Sequence, residues 1–204
     1  MRNNGGSADT PIENRIDFSN ICVFGHSFGG AAAFSACFSD KRIKAGINMD
    51  GTLYGVDNGI KNKAFMLMTS SSYAVSVKAG IRYYNQLTKA EQEDLASKGV
   101  SPEQYDSLVK TTEQSRKGFK DVTDNGGYFI SLQDTEHYNF SDLPFISPLS
   151  RLAGLTGKID ASRGAEIVEA YTLSFFNKYL KEESSTLLNG FSEDYPEVIF
   201  ENIN

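Results

Sequence analysis

Apolar residues along this chain gather first into short dense runs and then, past about residue 73, into a helical rhythm. Ile21-Cys22-Val23-Phe24 is bounded by Asn20 and Gly25. A continuous apolar run of that length reads as a strand buried on both faces. Small residues follow at Gly29, Gly30, Ala31, Ala32, Ala33 and Ala36, and they suit a helix packed closely on that strand, closed by Asp40 and Lys41. A second strand is predicted over Ala45–Met49. A third, the most uniformly apolar, covers Ala64–Thr69. The stretch from Tyr73 to Asp124 reads as helical. Thr88 to Glu91 is a capping-box signature, and Ser101 to Gln104 is another, with Pro102 at the first helical position. Asn125-Gly126-Gly127 marks a turn before a fourth strand at Tyr128–Leu132. Ser141 to Ser150, with Pro144 and Pro148, reads as a loop.

The longest helix is predicted from about Ser162 to Lys181. Its Ile167, Val168, Tyr171, Phe175 and Tyr179 recur at helical spacing and should face the core. The tail beyond Glu183 is mixed, and Val198-Ile199-Phe200 is expected to dock as an extended segment. Residues 1–19 form a polar lead-in with Gly5, Gly6 and Pro11, and no internal repeat is visible. Strands alternating with helices imply parallel pairing, hence an α/β sheet with helices on both faces.

Composition narrows the function classes. The 204 residues suit one domain, or at most one domain with a small insert. Lys and Arg total 20 against 26 Asp and Glu, a net charge of −6 with no basic cluster, which argues against a nucleic-acid groove. The apolar runs are far shorter than a membrane span. Met1 to Pro11 is polar and shows no signal peptide. A cytoplasmic location is expected for a complete chain and is undetermined for a piece of a longer precursor. Cys22 and Cys37 cannot make a disulfide framework and read as free buried thiols in a strand and a helix.

The candidate chemistry begins at Gly25-His26-Ser27-Phe28-Gly29, a G-x-S-x-G segment between a predicted strand and a predicted helix. A serine on so sharp a turn needs strained backbone angles and small neighbours two residues before and after. Gly25 and Gly29 meet that need, and Gly30 permits closer helix packing. The turn lifts the Ser27 hydroxyl clear of the sheet. It also puts the backbone N–H of Phe28 and the helix dipole where an oxyanion would develop. A serine nucleophile needs a base, and the chain has two histidines. His26 adjoins Ser27 and is expected to pack beneath the turn. His137 follows the fourth strand, on the edge where parallel strands end, and is the candidate base. Asp50 ends the second strand on the same edge and is the candidate acid. Asp134 competes through its proximity to His137, and Asp57 is a weaker option. The order Ser27, Asp50, His137 is that of α/β-hydrolases.

Three segments together resemble one family. Cys22 to Ala31, Gly46 to Gly51 and His137 to Asp142 look like the plasma-type platelet-activating factor acetylhydrolases and their bacterial relatives. Asp50 lies 23 positions after Ser27, the spacing of that family's acid, and His137-Tyr138-Asn139-Phe140 matches its base segment. The resemblance covers most of residues 15–182. It implies an α/β-hydrolase fold and a Ser-Asp-His triad. It implies cleavage of small carboxylic esters, typically short acyl groups on phospholipids, through an acyl-enzyme on Ser27. No metal or organic cofactor is implied. Leu53, Tyr54 and Phe140 are candidates for an acyl pocket, each with a core role as the equal alternative.

Two departures accompany the resemblance. The stretch Gln86 to Thr123 is longer than in the plasma-type enzymes and is either a lid or a solvated insert. Only 20 residues precede Ile21, so the resemblance is to the family's C-terminal half. The strands that usually precede the nucleophile strand are not recognisable. An uncovered strand edge invites association, so a homo-oligomer and weak activity in isolation are expected. The competing expectation is a non-catalytic hydrolase-like module with a binding or structural role. Amidase or thioesterase chemistry on the same fold is the third.

Overall fold

The protein is described by a computed structural model covering residues 16–54, 63–79 and 82–203. The polar lead-in through residue 15 and Asp57 lie outside the described residues. Five strands form one sheet in the order β1 (Ile21–His26), β2 (Ile43–Met49), β3 (Ala64–Ser70), β4 (Tyr128–Leu132), β5 (Val198–Phe200). The first four are parallel, as the strand–helix alternation predicts.

Alternating side chains divide the core into two layers. Phe65, Leu67 and Phe129 point to one face, where α1 (Phe28–Ser39), α2 (Ser71–Lys78) and α4 (Pro102–Asp124) supply Phe34, Val77, Phe119 and Val122. Ile47, Met66, Met68 and Ile130 point to the other, covered by Ile167, Tyr171 and Phe175 of α7 (Ala161–Leu180). Both faces of the central strands are therefore dry, which is why β2 and β3 read as unbroken apolar runs. The small α1 residues have the use expected of them: a Cβ on Gly30 would stand 2.8 Å from the Gly25 carbonyl oxygen of β1. Gly46 lies so close beneath Phe65 that a Cβ there would stand 2.5 Å from the ring.

Three elements differ from the sequence reading or add to it, the first being the tail, which docks as the extended segment expected. The tail forms β5, which runs antiparallel to β4. Arg163, in the first turn of α7, explains the direction. Its guanidinium donates to both carboxylate oxygens of Glu197, at 2.8 and 2.9 Å, and to the Asp194 carbonyl. That clamp holds the returning chain at the rim where β4 ends, so the chain can only run back down the sheet. The Ser141–Ser150 loop contains two single-turn helices, α5 (Leu143–Ile146) and α6 (Leu149–Leu152). Pro144 sits in the first turn of α5, where a proline costs no hydrogen bond.

The third difference concerns the helical stretch after β3. α4 buries Val109, Phe119 and Val122 and belongs to the helical layer on the sheet. Ser115 on α4 also accepts the Leu53 N–H at 3.0 Å. α3 (Lys89–Ser97) buries no residue and rides outside that layer. Both helices begin at the capping boxes read from the sequence, at Thr88 and Ser101.

Phe65 is fully buried and meets the rings of Phe34 and Phe38 at 5.2 and 5.5 Å. Phe65→Ala should lower the unfolding free energy in urea by about 3–5 kcal/mol, while Leu108→Ala on the exposed face of α4 should change it by no more than about 0.5 kcal/mol. Equal effects at the two positions would contradict this assignment of the core.

Candidate active site

The site is assembled where the parallel strands end. Ser27 follows β1 directly and takes φ 57° and ψ −123°, a strained conformation for a residue with a side chain. Neighbouring contacts hold it there. The Ser27 N–H donates to the Met49 carbonyl at 2.9 Å, and its own carbonyl accepts from Gly30 and Ala31 at the start of α1. A Cβ on Gly25 would stand 2.5 Å from the Gly29 backbone, so Gly25 is required by close approach. Gly29 has open space where its own Cβ would lie. The need for smallness is therefore one-sided: Gly29 contributes the backbone that crowds Gly25.

Asp50 follows β2, also at positive φ (52°), and its carboxylate is 2% exposed. Its N–H donates to the Met68 carbonyl at 2.8 Å. Asn48 fixes the turn by accepting the Gly51 N–H at 2.7 Å and donating to the Gly51 carbonyl at 3.0 Å. A Cβ on Gly51 would collide with the Ser27 carbonyl, so the two turns are fitted to each other. Asp50 Oδ1 accepts the Ser70 N–H at 2.7 Å and the Ser70 hydroxyl at 2.9 Å. Oδ2 faces His137 Nδ1 at 2.8 Å.

His137 opens a short 3-10 turn, His137–Phe140. Asn139 braces that loop by accepting the N–H groups of Glu136 and Gly157 at 2.8 and 2.7 Å. The other ring nitrogen, Nε2, lies 2.9 Å from Ser27 Oγ. In the neutral ring Nδ1–H donates to Asp50, which leaves Nε2 to accept the Ser27 hydroxyl. Ser27, Asp50 and His137 are thus brought into one continuous hydrogen-bonded chain. Asp134 is exposed, and the imidazole nitrogen it competes for is occupied by Asp50.

Other expected positions fall differently. His26 packs against the turn that carries His137. Its ring centroid is 4.6 Å from that of His137, and its Nε2 is 2.9 Å from the His137 carbonyl. Leu53 is fully buried in the core with Phe119 and Val122, so it is not a pocket wall. Tyr54 is exposed. Phe140 is half-buried and, with Phe24, Phe145 and Leu173, lines an apolar groove of about 350 Å³. Phe28 begins α1 with its side chain 79% exposed.

The sequence reading missed a hydroxyl-rich wall. A cavity of about 280 Å³ beside Asp50 and His137 is lined by Thr52, Ser70, Ser72, Tyr73 and Ser76. Ser72 donates to Glu136 on the His137 loop at 2.5 Å. The signal was present in Ser70-Ser71-Ser72, which directly follows the third apolar run and so must lie at the rim. No residue of α3 or α4 lines this cavity among the described residues. Cys37 is buried, and burial pushes its thiol up to about 11, so it is chemically quiet. Cys22, also expected to be buried, is only half-buried because β1 is the edge strand among the described residues.

A mostly parallel sheet with helices on both faces, and a strained serine between strand and helix, define an α/β-hydrolase-like fold. A solved ferulic acid esterase from Streptomyces cinnamoneus shares it, with a TM-score of 0.60 and 23% identity, over 92% of this chain and 48% of that one. The family model for platelet-activating factor acetylhydrolase, isoform II, matches residues 9–194, and the chain belongs to that family. A probable 1-alkyl-2-acetylglycerophosphocholine esterase of Arthroderma benhamiae is 29% identical over 195 residues, covering 89% of this chain and 43% of that protein. The platelet-activating factor acetylhydrolase of Cavia porcellus is 21% identical over 171 residues, covering 83% of this chain and 32% of that protein. The chain therefore spans less than half the length of these relatives.

The two histidines should titrate in opposite directions. The hydrogen bond to Asp50 raises the His137 pKa above the usual 6.5, against a smaller opposing effect of burial. Burial, and next the neighbouring His137 charge, lower that of His26 below 6.5. The neutral form of His137 thus dominates only above a midpoint higher than 6.5. For stability the sign is fixed by the same shift. The His137 contribution is complete below the unfolded pKa and disappears as pH rises through the folded one. Proton NMR should resolve one imidazole titrating above 6.5 and one below, with Asp50→Asn moving the upper midpoint down. An upper midpoint indifferent to Asp50→Asn would contradict the assignment.

Proposed function

We propose that this chain carries the active site of a serine carboxylic ester hydrolase that cleaves short acyl groups, including those on phospholipids. The observation that carries the reading is the Ser27–His137–Asp50 relay, with contacts of 2.9 and 2.8 Å between residues 110 and 87 positions apart. His137 Nε2 takes the Ser27 proton as Oγ attacks the ester carbonyl. Asp50 holds the ring in the tautomer that leaves Nε2 free to accept, and it stabilises the imidazolium that forms. The carbonyl oxygen gains negative charge, which the Phe28 N–H at the head of α1 is placed to receive, because the first N–H groups of a helix have no intrahelical acceptor. His137 then returns the proton to the departing alcohol and activates the water that hydrolyses the acyl-enzyme. The chain's similarity to a probable esterase of Arthroderma benhamiae and to the acetylhydrolase of Cavia porcellus supports this chemistry.

A second reading follows from β1. Among the described residues its outer edge has no neighbouring strand, and Phe24 on it is 59% exposed. A strand of six residues without a charge other than a titratable histidine, and without proline, lacks the usual protection against edge pairing. We infer association through that edge.

Turnover of p-nitrophenyl acetate, its thioester and its amide counterpart tests the chemistry. The oxygen ester should be cleaved fastest, acyl chains beyond a few carbons should be cleaved more slowly, and Ser27→Ala should reduce turnover by at least about 10³-fold. Equal turnover by Ser27→Ala and the parent would overturn the reading.

A further inference from the structure

We propose that His26 is a positioning residue for the base: it acts as a hydrogen-bonding brace that ties the backbone of His137 to the nucleophile turn. The proposal rests on the reading of Ser27 and His137 as nucleophile and base.

The geometry is specific. His26 Nε2 lies 2.9 Å from the His137 carbonyl oxygen. A carbonyl only accepts, so the His26 nitrogen must donate, and the Nε2–H tautomer is fixed. Burial keeps the His26 ring neutral near neutral pH. Its ring is also enclosed by the loop it holds, with centroids 4.6 Å from His137, 6.3 Å from Tyr138 and 6.2 Å from Phe140. His26 is the last residue of β1, and Ser27 is the next residue along. One covalent step therefore separates the donor of the brace from the group that attacks.

The two links between these segments are complementary. Ser27 Oγ to His137 Nε2, at 2.9 Å, is the link that must be remade during the reaction, when the proton moves. The His26 link to the His137 backbone involves no atom that changes protonation, so it persists through the cycle. His137 sits on a turn beyond β4, and β1 and β4 are separated in the sheet by β2 and β3. The sheet alone thus fixes the base only through a loop. The brace spans that gap directly. Errors of an ångström in such a distance cost about 10²-fold in rate, which sets the scale of what the brace protects.

The test uses a pair of side chains matched in size. His26→Gln places an amide N–H2 where Nε2 stands, and His26→Met has similar length with no donor. Each variant is compared with the parent for the rate of Ser27 acylation by p-nitrophenyl acetate in a pre-steady-state burst, corrected by Ser27→Ala, and for thermal unfolding. His26→Met should slow acylation roughly 10- to 100-fold with KM little changed, and His26→Gln should recover most of that loss. Acylation by the Met variant at the parent rate would overturn the brace. So would equal losses in the Gln and Met variants with the parent unfolding temperature retained. A parent chain with no Ser27-dependent burst would instead remove the catalytic reading, and the brace with it.

Discussion

One buried carboxylate ties this site together. Asp50 leaves the end of β2, accepts two hydrogen bonds from Ser70 at the end of β3, and meets His137 beyond β4. A carboxylate removed from water is tolerated only when its oxygens are paired and hydrogen-bonded. Here every such partner comes from the rim of the sheet. The charge therefore demands that three strand ends keep their register, and the register in turn delivers the imidazole to Ser27. The positive φ values at Ser27 and Asp50 are the local strain that this demand sustains. The Ser27 N–H bond to the Met49 carbonyl and the close fit of Gly51 beneath the Ser27 carbonyl hold both turns in place.

Much of this was legible before any coordinates. β2 to β4 are apolar because both faces of the sheet are covered there, and that requirement writes itself as short uninterrupted runs. β1 reads as the same kind of run but is not buried on both faces: it is the edge strand among the described residues, none of its residues is fully buried, and Phe24 is 59% exposed. The strand–helix turn around Ser27 was readable because Gly25 must lack a side chain. Asp50 and His137 were readable because parallel strands send their following residues to one rim. The remaining features depended on pairings between distant segments. β5 is three residues long, and its direction is set by Arg163 holding Glu197 across the fold, a contact no local pattern announces. The stretch Gln86 to Thr123 reads as an insert through its length beside the plasma-type enzymes, and length says nothing of the burial of Val109, Phe119 and Val122 on α4. Leu53 was as apolar as a pocket residue would be, and only packing shows that it belongs to the core. The contacts of His26 depend on where the His137 turn folds back, which adjacency to Ser27 does not announce.

The fold and the family carry different weight. The sheet, its two covered faces and the strained turn are properties of this chain. The family membership extends across residues 9–194, yet the relatives are more than twice as long. Among the described residues β1 has no strand on its outer edge, and the apolar groove lined by Phe24 and Leu173 also takes in Phe140 of the His137 turn. The groove therefore runs from the edge strand to the turn that carries His137.

The most direct measurement is the site of covalent attachment after treatment with a fluorophosphonate, read by peptide mass spectrometry at neutral pH. A hydroxyl activated by an Asp50-anchored imidazole should take up one phosphonyl group per chain, on Ser27, and Asp50→Asn should slow that uptake by about 10³–10⁴-fold. An unlabelled chain, or a label on a different residue at the same rate in both proteins, would contradict the account.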